Sequence, residues 1–296
     1  HILIENKSSS AGTQAYILLR FMKKCTRKDR NMEELYVFGT GNAQATRCYN
    51  TCFAIKDGDE FFMVDAGGGN GILGILEKMN VDMAHIHHIF VTHEHTDHIL
   101  GIVWMVRMIA TAMKKGKYEG ELRIYCHPGL ADTISTLCRL TLQGKFYKMI
   151  GEQIFLIPVE DGETVSILDY DVTFFDILST KAKQFGFCME YAEGKKLTCC
   201  GDEPYNECEH KYAVNSTWLL HEAFCLDSQA DIFKPYEKHH STVKEACELA
   251  ERLHIPSLIL WHTEDKNISG RKKLYTSEGK EFYHGQLFVP DDGEII

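Results

Sequence analysis

The stretch that decides the fold is IFVTHEHTDHILG, residues 89 to 101, in which His93, His95, Asp97 and His98 crowd into six positions behind the apolar run Ile89, Phe90, Val91. The run reads as a buried strand. On an extended segment alternate side chains point the same way, so His93, His95 and Asp97 are expected to converge where the strand ends, with His98 entering from the first turn of a following helix. Imidazole and carboxylate at this density make a metal cradle, and the mixture suits Zn²⁺, Fe or Mn better than cations that prefer oxygen alone.

Working outward, the chain has 296 residues of which 44% are apolar, enough for one large α/β core. No apolar run approaches the roughly 20 residues that span a bilayer, and AYILLRFM at 15 to 22 carries Arg20 and lacks a cleavage-type site. A soluble, cytoplasmic chain is expected. The 11 cysteines include no C-x-x-C pair, which fits reduced thiols and not a disulfide framework or a zinc ribbon. Residues 1 to 31 carry seven Lys or Arg against Glu5 and Asp29, so the overall charge of −10 leaves the remainder near −15. Such an acidic body disfavours nonspecific contact with nucleic acid. Residues 1 to 31 are expected to be an extension, basic arm or upstream sequence, and 32 to 296 the domain.

Strand-like runs lie at 35 to 39, 51 to 55, 61 to 65, 88 to 92, 122 to 126, 153 to 157, 164 to 168, 172 to 178, 196 to 202, 218 to 222 and 257 to 262. Helical spacing marks 71 to 79, 99 to 115, 129 to 140 and 241 to 253, with His240 and Ser241 as the N-terminal signal of the last. The methionines of the second helix read as core packing. His85, His87 and His88 are expected to be a solvated strand start, far from the ligands.

HEHTDH, with FFMVDAGGG before it (61 to 69), LTCCGDE (197 to 203) and SLILWHTED (257 to 265) after it, resembles the metallo-β-lactamase superfamily and its H-x-H-x-D-H signature. LYVFGTGNAQATR, WLLHEAF and HHSTVKEACELAERL narrow the resemblance to the ribonuclease Z-like branch, over residues 34 to 262. It implies a four-layer αββα sandwich of two mixed sheets with the site at one edge. It also implies metal ligands His93, His95, Asp97, His98, Asp202 and His262, with Asp202 bridging. Asp65 would orient the ligand loop, and His240, held by Glu222, would protonate the leaving oxygen. A histidine beside a carboxylate keeps a defined tautomer, as a general acid near neutral pH requires.

Two departures stand out. The branch places a further histidine ligand six residues before the glycine of F-G-Y; in ILSTKAKQFGF that position is Thr180, so one metal position is an imidazole short. His127, in IYCHPGL, is a candidate to supply the missing nitrogen or to contact substrate. The long RNA-gripping arm that transfer-RNA-processing members carry has no room in CMEYAEGKKLTCC, residues 188 to 200.

The expected function is therefore a metal-dependent hydrolase acting on a small or short phosphodiester, with precursor transfer RNA disfavoured and no membrane partner. One or two Zn²⁺ ions, or Mn²⁺ or Fe, would lower the pKa of a bound water to give the attacking hydroxide, with Asp97 taking the proton. A homodimer is what the branch implies. The alternatives are a lactam, lactone or thioester hydrolase on the same fold, or an impaired-site binding protein, for which Thr180 is the best argument. A redox di-iron site is disfavoured, since His95 stands where such proteins carry glutamate.

Overall fold

In the computed structural model, which describes residues 34–296, strand periodicity sorts side chains into two cores on either side of each sheet. The extension expected at residues 1 to 31 lies outside the described residues. In β1 (Glu34–Gly39), Leu35 and Val37 face the core between the sheets while Tyr36 and Phe38 face the helices. Strands β2 (Cys52–Asp57) and β3 (Glu60–Val64) divide likewise, Phe53, Ile55, Phe62 and Val64 going inward and Ala54, Phe61 and Met63 outward. Burial on both faces explains why these strands read as continuous apolar runs and not as alternation.

The first sheet continues through β4 (Ile86–Phe90), β5 (Leu122–Cys126) and β6 (Ile154–Pro158) in sequential order, antiparallel at β1 to β3 and parallel from β3 to β6. The second runs from β7 (Thr164–Ile167), β8 (Tyr170–Asp176), β9 (Phe185–Ala192) and β10 (Lys195–Cys199), all antiparallel, to β11 (Trp218–Glu222), β12 (Ser257–Trp261) and β13 (Gln286–Phe288), which add in parallel. Helices α1 (Gly71–Lys78), α2 (Thr96–Lys114) and α3 (Pro128–Thr141) cover the first sheet, and α4 (Val243–Arg252) and α5 (Arg271–Gly279) the second. The four-layer αββα sandwich with two mixed sheets is the architecture expected from the sequence. Met105 and Met113 of α2 are core residues.

Four details differ from the expectation. Strand β9 begins on the F-G-F segment, where Gly186 lies so close to β10 that a Cβ would sit 2.5 Å from the Cys199 carbonyl oxygen. Helix α5 lacks an apolar stripe and is held instead by its buried Arg271 and Tyr275. The Arg271 guanidinium donates to Thr40 and Thr263 hydroxyls (both 2.9 Å) and to the Pro290 carbonyl (2.8 Å), tying the end of β1 to the chain after β12. His87 and His88 lie within β4, not before it, bound to Glu60 and to the Tyr125 hydroxyl. Finally, Thr242 and not His240 or Ser241 caps α4, in a reciprocal box with Glu245.

Every cysteine among the described residues is a free thiol. No helix among them is long and apolar enough to cross a membrane. Between β9 and β10 the chain turns through Glu193 and Gly194, with Gly194 at φ 70°.

Candidate metal centre

The parallel strands of both sheets end at one edge of the molecule. Asp65 follows β3, His93 follows β4 and His127 follows β5; Asp202 follows β10, Glu222 closes β11 and His262 follows β12. Residues remote in sequence therefore meet there, as loops at the carboxyl ends of parallel strands do.

Where α2 begins decides how the four polar residues of HEHTDH divide. The helix starts at Thr96 with His95 as N-cap, so Asp97 lies in the first helical turn beside His98 and not with His93 and His95 on an extended segment. Two donor groups result, His93 with His95 and Asp202, and Asp97 with His98 and His262, the atoms of each lying within 4.8 Å of one another. Asp202 Oδ2 joins them, 3.6 Å from His93 Nε2, 3.4 Å from His98 Nε2 and 3.5 Å from His262 Nε2.

Hydrogen bonds on the far side of three rings assign the donor nitrogens. Asp65 accepts from the Thr92 backbone N–H (2.9 Å), the Thr92 hydroxyl (2.8 Å) and His98 Nδ1 (2.7 Å). Having donated its proton to Asp65, the Thr92 hydroxyl accepts from His93 Nδ1 at 2.9 Å. The Thr51 hydroxyl donates to the Gly41 carbonyl (3.1 Å) and accepts from His262 Nδ1 (3.2 Å). In all three histidines Nε2 is thus the nitrogen facing Asp202, and in His93 it also lies 2.8 Å from His95 Nδ1.

Asp65 and His262 both have left-handed backbones, φ 55° and 56°, a conformation that costs energy outside glycine and clusters at functional sites. Gly101 lets α2 approach the Asp65 loop: a Cβ there would meet the Ala66 carbonyl oxygen at 1.9 Å. Thr51 and Thr92 escaped the sequence reading because a threonine beside a strand carries no pattern of its own; only the adjacency of Thr92 to His93 hinted at it. Thr51→Val is expected to keep the fold and to weaken metal affinity about 10- to 100-fold, which a metal titration by calorimetry checks.

The centre is built for a cation. His98 Nε2 and Asp202 Oδ1 are buried without a hydrogen-bond partner, a costly state unless something positive sits between them. Burial drives His93 well below the usual imidazole range and lowers His262 to about 4, so both stay neutral and able to ligate, whereas at His98 burial is outweighed by Asp97 and Asp65, which raise it well above that range, so its proton must leave before it ligates. Burial opposes ionisation of Asp202 and Asp97, yet the surrounding histidines outweigh it and hold both carboxyls below their ordinary range.

Thr180 is exposed after β8, and its neighbour Ser179 donates to Glu203 at 2.8 Å, so the segment adds no donor to the His93 group. His127 does not replace the missing imidazole. It caps α3 by accepting the Leu130 N–H at Nδ1 (3.2 Å), and its Nε2 points toward Glu94 Oε2 at 3.6 Å. His240 lies beside the Asp97 group, its ring 5.3 Å from that of His262. Glu222, fully buried, accepts the Ser241 N–H at Oε1, while Oε2 stands 3.5 Å from His240 Nδ1 without a completed hydrogen bond.

The described residues form the metallo-β-lactamase fold of the solved structures named below, with two groups of histidine and aspartate side chains at one edge that could hold metal. Within it the chain belongs to the Anti-Pycsar protein Apyc1 family, whose model matches residues 33–278. It is 23% identical to ribonuclease Z of Halorubrum lacusprofundi over 312 residues, covering 87% of this chain and 94% of that protein. Among solved structures, the metallo-β-lactamase fold protein YhfI of Bacillus subtilis superposes with a TM-score of 0.71 at 17% identity, covering 89% of this chain and 98% of that one. The short form of human tRNase Z does so at 0.68 and 21%, with coverage of 89% and 98%.

Proposed function

We propose that the protein hydrolyses a small phosphodiester at this centre, and that the anti-Pycsar role named for its family extends to this chain. The observation that carries the reading is His240 beside the donor groups: an imidazole that is not among the ligands, backed by the buried Glu222 carboxylate. A thioester hydrolase has less use for a separate proton donor, because a thiolate departs without one.

The donor sets favour Zn²⁺, with Mn²⁺ or Fe as substitutes. Asp97, His98, His262 and the shared Asp202 would offer four donors to one ion, whereas His93, His95 and Asp202 would offer three to another. One ion is held firmly and a second weakly. A bound ion supplies Lewis acidity toward the phosphoryl oxygens and makes a neighbouring water acidic. Asp97 accepts the proton of that water, Asp202 keeps the two donor groups at fixed separation, and His240 gives a proton to the departing oxygen. Thr180→His is expected to raise the metal content from near one ion per chain toward two, read by elemental analysis.

The compact hairpin between β9 and β10 and the acidic body favour a substrate smaller than precursor transfer RNA. We place the protein in the cytoplasm, as its free cysteines suit a reducing compartment, and expect a homodimer by its resemblance to the ribonuclease Z-like branch. The test is a panel of nitrophenyl phosphodiesters, a chromogenic lactam and a thioester, each with Zn²⁺ and Mn²⁺. Turnover confined to the phosphodiesters is the expected result; preferential turnover of the lactam or thioester would refute it.

A further inference from the structure

We propose that Phe224 is the positioning residue that fixes the ring plane of His240, and that the Glu222 carboxylate alone does not. The kinetic part of this rests on the general-acid reading of His240; the geometric part does not. A carboxylate lying along the Nδ1 direction leaves an imidazole free to turn about that direction, and here the contact is 3.5 Å with neither Glu222 Oε2 nor His240 Nδ1 hydrogen-bonded. Something else holds the ring. The Phe224 ring stacks on it at 5.0 Å between centroids and 15° between planes, and the His262 ring stands 5.3 Å away, so His240 has an aromatic neighbour in each. Turning the imidazole out of its plane would break the stack, an arrangement worth something beyond the area it buries.

Phe224 can serve as a platform because it is itself immobilised. Its N–H donates to the Ser241 carbonyl (2.9 Å), directly after His240, and its carbonyl accepts from the Glu264 N–H (2.7 Å) and the Tyr275 hydroxyl (3.1 Å). The edge of Phe233 meets its ring at 6.4 Å and 88°, and the Lys238 ammonium lies 4.7 Å from its centroid. It is 5% exposed, so little solvent competes for the ring. The imidazole is therefore registered against β11, β12 and α5 through one side chain.

The test compares Phe224→Leu, which keeps an apolar group but removes the flat face, with Phe224→Tyr, which keeps the face; Phe224→Met replaces the leucine variant if that one fails to fold. Each is assayed on an alkyl phosphodiester with a poor leaving group and on an activated nitrophenyl ester, alone and in a His240→Ala background, with metal per chain measured throughout. The leucine variant should lose about tenfold on the poor leaving group, keep its rate on the activated ester and its metal, and lose nothing further once His240 is gone. The tyrosine variant should match the parent. Equal losses on both esters, a full additional loss on top of His240→Ala, or no loss at all would overturn the proposal. Should His240→Ala slow both esters equally, the general-acid reading fails by itself, and crystals of the leucine variant then decide the geometric part: a reorganised His240 ring supports it, and an unchanged ring plane refutes it.

Discussion

Replacing Asp202 with alanine is expected to lower phosphodiester turnover by on the order of 10³-fold and to strip the ion from the His93 and His95 group. Both losses follow from one oxygen. Asp202 Oδ2 is within 3.6 Å of Nε2 of His93, His98 and His262, so it faces both groups. Its carboxyl stays ionised despite burial, because the neighbouring histidines outweigh the desolvation. Without it, His93 and His95 are a two-nitrogen pair with no charge to offset a dication, and the Asp97 group keeps three donors instead of four. Metal analysis should show the tighter ion weakened and the weaker one absent. An alanine variant with its full metal and near-parental rate would mean that the oxygen bridges nothing.

His240→Ala is the second large effect. General acids contribute about 10²- to 10⁴-fold, and that contribution matters only where the departing oxygen is too basic to leave unprotonated. An alkyl phosphodiester should therefore slow by that amount, while an activated nitrophenyl ester, whose leaving group needs no proton, should slow less than about tenfold. His240 is not in either donor group, so metal per chain should stay at the parental value. Equal losses on the two esters would contradict the role.

The fold and the gathering of His93, His95, Asp97, His98, Asp202 and His262 were legible in the sequence for a shared physical reason. Strands buried on both faces leave long apolar runs, and a polar cluster at the end of such a run, as at His93 to His98, has few explanations. The αββα sandwich followed from the resemblance carried by those motifs. What stayed hidden depends on contacts across the fold. The division of HEHTDH into two pairs depends on α2 beginning at Thr96, which the extended reading of Asp97 missed. Thr51 reaches His262 across 211 positions, and nothing local in TCFAI announces it. His127 read as a spare ligand because a histidine before Pro-Gly has no pattern that distinguishes a helix cap from a donor; the N–H of Leu130 makes it a cap. Phe224 looked like one more apolar residue in WLLHEAF until its ring was found on that of His240.

The central claim is that side chains from the loop after β4, from α2 and from just beyond β10 and β12 surround a transition ion. Anomalous diffraction at the zinc edge, from crystals of the protein grown with Zn²⁺, tests it most directly. The account predicts a strong peak within ligand distance of Asp97, His98, His262 and Asp202, with a weaker one against His93 and His95. A map with zinc bound elsewhere and none among these side chains would contradict it.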